Sequence, residues 1–335
     1  MKLLIVSDKS SFFSLISIGD IQRSIIKGLS LETQISRILR DEITVCYDDY
    51  DIEKIKSEMM YYRAEFMPVL NKRGEIVNVI FWDDIFKEKY IRHSKKLDIP
   101  VVILAGGEGT RLKPLTNIIP KPLVPVGEMP IIDHILNNFQ SIGVKNFYLM
   151  VNYKSDMIKN YLKDKKNRKI KIEYISEDKP LGTAGSLYFL RKKIEKTFFV
   201  TNCDILIDDD YYEFYKHHKD SGNEMTIIGA LKQYSIPYGT LEIKKGSILK
   251  KIKEKPEVTF IINSGMYILE PHLLNEIPAN AFFHITELID KIRMRKGKVG
   301  VFPVSEMSWL DIGNWNEYNR TQEIHVKKSS NNENK

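Results

Sequence analysis

Residues 101 to 122 constrain this chain more than any other stretch. Val101-Val102-Ile103-Leu104-Ala105 is a short apolar run rich in β-branched residues, which reads as a buried parallel strand. It gives way at once to Gly106-Gly107-Glu108-Gly109, three glycines within four residues. Glycine there allows φ above zero and lets backbone N–H groups meet a ligand with no Cβ in the way. Thr110-Arg111 follows, and ten residues after Arg111 comes Lys121, held between Pro120 and Pro122. Backbone amides, one planar guanidinium and one ammonium on a stiff loop suit a polyphosphate. The spacing is not that of a Walker loop, which ends in Gly-Lys-Ser/Thr. Nor is it a dinucleotide fingerprint, whose helix would not be interrupted by Lys113-Pro114.

Leu104 to Leu115 together with Pro120-Lys121-Pro122 resembles the signature of the sugar-1-phosphate nucleotidyltransferases, which make nucleotide-sugars from an NTP. The resemblance covers residues 97 to 324. It implies an α/β fold with a Rossmann-like, mixed and mostly parallel sheet of the GT-A-like type, and alternating elements agree with this. Strands are expected at Ile99–Leu104, Asn146–Val151, Ile170–Ile175 and Phe198–Asn202, and helices near Ile131–Ser141, Ser155–Lys163 and Ala184–Glu195.

The same resemblance assigns roles. Leu104, Ala105, Gly106, Gly107, Gly109, Thr110, Arg111, Lys121 and Asn202 would bind the nucleotide, with Arg111 and Lys121 also catalytic. The loop Glu177 to Gly185 would hold the base, and Gly182 would let a flat ring lie against the backbone while Thr183 caps the following helix. The position five before Gly182 reads the base edge and is often Gln in pyrimidine-nucleotide relatives; here it is Glu177. An ionised carboxylate only accepts hydrogen bonds. Guanine offers N1–H and N2–H side by side, which favours GTP over UTP or dTTP. Asp204, ending the Phe198–Asn202 strand region, and Asp311 in Trp309-Leu310-Asp311-Ile312-Gly313 would hold Mg²⁺. Gly239, Glu254, Lys255 and Asn263 would meet the sugar phosphate, with Lys255 catalytic through its pairing with that phosphate. His217-His218 are expected on the surface, because neighbouring histidines on a helix point apart.

Residues 1 to 92 carry an internal repeat of β-α-β-β-α type, in which Gly19-Asp20-Ile21 and Asp83-Asp84-Ile85 occupy equivalent places. Strands are expected at Leu3–Val6, Phe13–Ile18 and Ile43–Val45, helices at Asp20–Lys27, Asp51–Tyr62 and from Asp83, and a hairpin of Met67–Leu70 and Ile76–Phe81. The pattern resembles a tandem pair of CBS domains, modules that often sense adenine nucleotides, with the first copy lacking its leading strand and helix. Ser17 and Asp20 keep that family's phosphate and ribose pair, but Phe81 stands where Asp84 would need a hydroxyl partner. A spacer or dimer contact therefore outweighs sensing. Lys87–Lys96 is expected as a linker or connecting helix, giving domains 1–92 and 93–335. The combination is similar to CBS-tethered guanylyltransferases of legionaminic-type acid pathways, where the sugar is glucosamine. A mannose- or glucose-1-phosphate nucleotidyltransferase and a non-catalytic regulatory subunit stand as alternatives.

Length and charge fit this picture. A chain of 335 residues with 43% hydrophobic residues suits two domains, or one with an appendage. A net charge of +7 suits anionic small molecules without requiring nucleic acid. The basic run Lys163–Lys171 holds no stacking aromatics and reads as a solvated loop. Cys46 and Cys203 form no CxxC pair, which points to a reducing, cytoplasmic setting. Met1–Val6 is too short for a signal core, no run approaches a membrane span, and residues 325 to 335 are polar and expected to fray. The expected partners are GTP and a sugar 1-phosphate, with homo-oligomerisation through the CBS region.

Overall fold

The apolar runs assemble into a seven-stranded sheet: β1 (Val101–Ala105), β2 (Asn146–Val151), β3 (Lys171–Ser176), β4 (Phe198–Asn202), β5 (Met225–Ser235), β6 (Glu257–Leu269) and β7 (Val299–Val304). A computed structural model describes residues 3–8, 11–17, 20, 24, 29–30, 32–39, 43–62, 64, 66–82, 85, 96–163, 169–306 and 308–323. The spatial order is β3-β2-β1-β4-β6-β5-β7. β3, β2, β1 and β4 run parallel, β6 is antiparallel to β4, and β7 is parallel to β5. This is the mixed, mostly parallel α/β sheet expected.

Both faces of the sheet are covered. Along β1, Val101, Ile103 and Ala105 enter one core and Val102 the other, as side-chain alternation requires. The first core takes helices α1 (Ile131–Ser141), α2 (Ser155–Lys163) and α3 (Tyr211–Asp220). Phe139 of α1 sits at its centre, its ring 5.2 Å from that of Phe199 and 4.7 Å from that of Tyr211. The second core takes α4 (Ile285–Met294) and the segment from Leu187 to Ile194. Among the described residues, no helix is long and apolar enough to cross a membrane.

The chain divides into two compact units, and they are not consecutive halves. One holds residues 90–230 and 262–335, the other residues 1–89 together with 231–261. In the second unit Leu3–Asp8 pairs antiparallel with Ser11–Ser17. Cys46–Tyr47, Phe66–Leu70 and Ile76–Phe81 form a three-stranded sheet packed by helix Ile52–Tyr62. The hairpin turns through an Asx motif, where Asn71 Oδ1 accepts from the amides of Arg73 and Glu75 at 2.9 and 3.0 Å. Its core contains Ile55, Met59, Met67, Val69, Ile80, Trp82 and also Leu231. The stretch 231–261 adds a hairpin of Thr240–Ile243 with Leu249–Lys253.

Three expectations need correction. Ile43–Val45 is not a strand; pairing begins at Cys46, which meets Val69 in parallel register. Ala184–Glu195 is not an α-helix but a 3₁₀ helix over Gly185–Leu190 followed by a turn. The amides of Ala184 and Gly185 both donate to the Phe283 carbonyl at 3.0 Å, and the three-residue step from Leu187 to Leu190 suits the tighter winding. The histidine pair is not surface-exposed. His218 is fully buried, its Nδ1 2.8 Å from Thr226 Oγ1 and its Nε2 3.2 Å from Glu270, and His217 is half-buried against Phe302. The expected linker at 87–96 (apart from Lys96), the helices at 20–27 (apart from Asp20 and Ser24) and from 83 (apart from Ile85), Asp84, the centre of the basic run and residues 325–335 lie outside the described residues.

Candidate active site

At the C-terminal end of β1 the chain enters the glycine loop, where an open α/β sheet keeps its ligands. Gly109 has φ +66, and a Cβ there would lie 2.8 Å from Thr116 Cγ2 and 3.3 Å from Lys121. Both its conformation and its space exclude a side chain. Gly107 has nothing within 4 Å of that position, so its backbone is open to a ligand, whereas a Cβ on Gly106 would lie 3.5 Å from Glu177 Oε1. The 3₁₀ turn Thr110–Leu112 buries Leu112 and leaves Thr110 and Arg111 exposed. Leu104 and Ala105 lead into the loop, and the Leu104 carbonyl accepts from Cys203 N at 3.2 Å.

Lys121 starts a second 3₁₀ turn and is buried, with its side chain 9% exposed. Its ammonium pairs with Asp204 Oδ2, and the Asp204 side chain is only 12% exposed. Asp311 lies beside them: strand Ile205–Ile207 pairs with Trp309–Asp311, and Ile312 N donates to the Asp204 carbonyl at 3.0 Å. Burial pushes the Asp311 carboxyl above the ordinary range, and the charge of Asp204 pushes it further. Gly313 N donates to Asp311 Oδ1. A Cβ on Gly313 would lie 3.4 Å from Arg111 Nη2, which brings the guanidinium to the same turn. Two carboxylates and two cations from three distant stretches thus converge at one edge of the sheet. A second acidic group, Glu224–His272–Glu276, has ligand atoms within 4.8 Å of one another. Arg295 already bridges Glu224 and Glu276 there, and its hydrogen bonds hold the Glu224 carboxyl down to about 2, so both carboxylates are engaged by a cation of the chain itself.

Glu177 follows β3, with its N–H donating to Val151 O at 3.0 Å and its carbonyl accepting from Asn152 Nδ2 at 2.7 Å. Burial raises the Glu177 carboxyl, while the Ser186 hydroxyl and the Leu181 amide pull it part of the way back. Gly182 is left-handed, φ +77, and a Cβ there would also meet the Phe283 carbonyl at 2.7 Å. Thr183 does cap a helix, but not the one after it in sequence. Its hydroxyl accepts from Ile285 N at 2.9 Å, at the start of α4. Asn202 lies over Gly265, whose Cβ would be 2.6 Å from Asn202 Nδ2, and Asn263 Oδ1 accepts from Gly265 N at 3.1 Å.

Gly239, Glu254 and Lys255 belong to the other compact unit. There a Cβ on Gly239 would meet Glu254 Oε2 at 2.8 Å, and Lys255 is left-handed at φ 41 just before Pro256. Left-handed lysine is uncommon and marks a position for functional scrutiny. Lys250 and Lys253 pair with Glu242 in the hairpin, while Lys255 makes no ion pair among the described residues. Sequence reasoning passed over Asn152, Tyr153 and Lys154. Polar residues directly after the buried β2 run, at the ligand-bearing edge, were the signal available for them.

Known proteins place this geometry in a family. Residues 100–327 match the family model described as "Nucleotidyl transferase". The chain is 37% identical over 221 residues to a mannose-1-phosphate guanyltransferase of Aspergillus oryzae, covering 63% of this chain and 60% of that protein. It is 36% identical over 223 residues to a mannose-1-phosphate guanylyltransferase catalytic subunit beta of Xenopus tropicalis, with the same two coverages of 63% and 60%. The chain thus spans about three fifths of the length of the curated relatives it matches. Among solved structures, HddC from Yersinia pseudotuberculosis is similar with TM-score 0.54 and 32% identity over 67% of this chain and 98% of that one. HddC complexed with GMP-PN matches at TM-score 0.54 and 31% identity, again over 67% of this chain and 98% of that one. The chain belongs to the nucleotidyl transferase family.

Proposed function

We propose that this protein is a sugar-1-phosphate guanylyltransferase, which moves GMP from GTP to a hexose 1-phosphate and releases pyrophosphate. The observation that carries the reading is the convergence of Arg111, Lys121, Asp204 and Asp311 beside an open glycine loop. A phosphate oxygen of the sugar 1-phosphate attacks the α-phosphorus of GTP as the bond to the β-phosphate oxygen breaks. The attacking phosphomonoester is mostly dianionic at neutral pH, so the protein supplies no base. Its work is positioning and charge neutralisation. The amides of Gly106, Gly107 and Gly109, with Arg111 and Lys121, would hold the triphosphate; Leu104, Ala105, Thr110 and Asn202 would line the nucleoside. Glu177 would read guanine, within the loop carrying Gly182 and Thr183. Gly239, Glu254 and Asn263 would meet the sugar, and Lys255 its phosphate.

A divalent cation, Mg²⁺ in our reading, fits the donor set. Lys121 satisfies one oxygen of Asp204, and the repulsion between Asp204 and Asp311 leaves a charge that a cation would relieve. When bound, it would add positive charge against the crowded phosphates.

Relatives named for mannose 1-phosphate make that sugar the first candidate, ahead of glucosamine 1-phosphate. Residues 1–92 we read as a CBS-type pair acting as spacer or dimer contact. The test is pyrophosphate release over a grid of GTP, UTP and dTTP against mannose, glucose and glucosamine 1-phosphates. GTP with mannose 1-phosphate should be the best pair. A preference for UTP or dTTP would overturn the guanylyl assignment, and no release with any pair would leave a binding subunit.

A further inference from the structure

The residues just after β2 fasten the glycine loop from behind. Tyr153 N donates to Gly106 O at 3.4 Å, and the Tyr153 hydroxyl donates to Thr116 O at 3.1 Å. The Lys154 ammonium donates to Asn117 O at 2.5 Å and to Ile118 O at 2.8 Å. These are the last carbonyls of the short helix Leu115–Ile118, left without partners by the helix itself, and a cation is favoured there. Thr116 passes the restraint on, since its hydroxyl donates to Gly109 O at 2.9 Å and its methyl packs against the same glycine. Gly109 in turn lies against Lys121. One chain of contacts therefore runs from Tyr153 and Lys154 through residues 116–118 to the loop's left-handed glycine and its buried lysine.

The backbone at Lys154 supports a special role. Its φ is 50, a left-handed conformation that costs an L residue and would suit glycine better. The lysine side chain is what glycine would forgo. We infer that Tyr153 and Lys154 are positioning residues, a clasp that sets the loop 106–121 in the geometry needed to grip the nucleotide's phosphates. The inference rests on reading 106–121 as the phosphate loop.

The test compares Tyr153→Phe, Lys154→Met, Lys154→Gly and Lys154→Arg by three readouts: hydrogen exchange of amides in 106–121, affinity for a non-hydrolysable GTP analogue, and steady-state kinetics. Tyr153→Phe and Lys154→Met should speed exchange within 106–121 and weaken the analogue about tenfold, while KM for the sugar 1-phosphate stays put. Lys154→Gly is the sharpest arm. It relieves the left-handed backbone, so Tm should hold or rise while the loop loosens and nucleotide affinity drops. Lys154→Arg should restore most of both. Wild-type loop exchange and affinity in Lys154→Gly and Tyr153→Phe would overturn the clasp, and so would faster exchange spread evenly over the sheet. Should the wild type bind no guanine nucleotide, the functional assignment falls, yet loop exchange still decides the clasp.

Discussion

At the scale of single residues the chemistry depends on where carboxylates are buried. Glu177 is partly buried next to Gly106, and burial raises its pKa above the ordinary range. If the ionised form accepts from guanine N1–H and N2–H, ITP, which lacks the N2 amine, should be used roughly ten- to a hundredfold less well, a loss on the order of 1.5–3 kcal/mol. Acceptance requires the unprotonated carboxylate, so kcat/KM for GTP should fall as pH drops through the raised pKa. Glu177→Gln should lower GTP use, abolish that acid limb and relax discrimination against UTP. Equal use of GTP and ITP by the wild type would sink the carboxylate-to-guanine idea.

At the scale of elements, the periodic segments were legible and the exceptions have physical causes. The apolar spacing of Ile131, Ile132, Ile135, Leu136 and Phe139 locates α1, and β2 and β4 read directly as apolar runs. Leu187, Leu190 and Ile194 fit 3₁₀ and α spacing about equally, so tertiary bonds to Phe283 decided the winding of that segment. The pairing of Lys121 with Asp204 spans 83 residues, and only resemblance to a family could anticipate it. The burial of His218 could not be seen in its neighbours; it ties α3 to Thr226 on β5 and to Glu270 beyond β6. Burial lowers the His218 pKa from 6.5, and it prevails over Glu270, which raises it, while Lys219 and His217 act with burial. The sign follows: the folded pKa is depressed, so its stabilisation is complete above about 6.5 and is lost as pH falls through that value toward the folded one. His217, also lowered by burial, adds the same trend. Thermal melts of wild type and His218→Gln between pH 5 and 8 should show a shallower acid decline in the variant. An identical slope would remove His218 as a source of the decline.

At the scale of the whole molecule, the chain leaves one unit inside β5 and returns inside β6, and the stretch between belongs with residues 1–89. Leu231 is buried, 4% exposed, in a core with Ile55, Met59, Val69 and Trp82. That arrangement changes what truncation should do. A protein starting at Lys96 keeps every residue assigned to the nucleotide, because Arg111, Lys121, Glu177, Asp204 and Asp311 all lie in the larger unit. It loses the partners of 231–261, which carries Gly239, Glu254 and Lys255. Leu231 would face water, at about 1.5–3 kcal/mol for a side chain of its size. The hairpin beyond it already exposes Leu241, Ile243 and Ile252 by 63, 65 and 60%, leaving little packing of its own to hold it. The truncated protein should therefore bind a GTP analogue nearly as tightly as the full chain, show a KM for sugar 1-phosphate raised about tenfold or more, and be cut by protease first within 231–261. Unchanged KM for the sugar phosphate together with a protease-resistant hairpin would mean that residues 231–261 stand without their unit, and that Glu254 and Lys255 need nothing from the N-terminal region to be set in place.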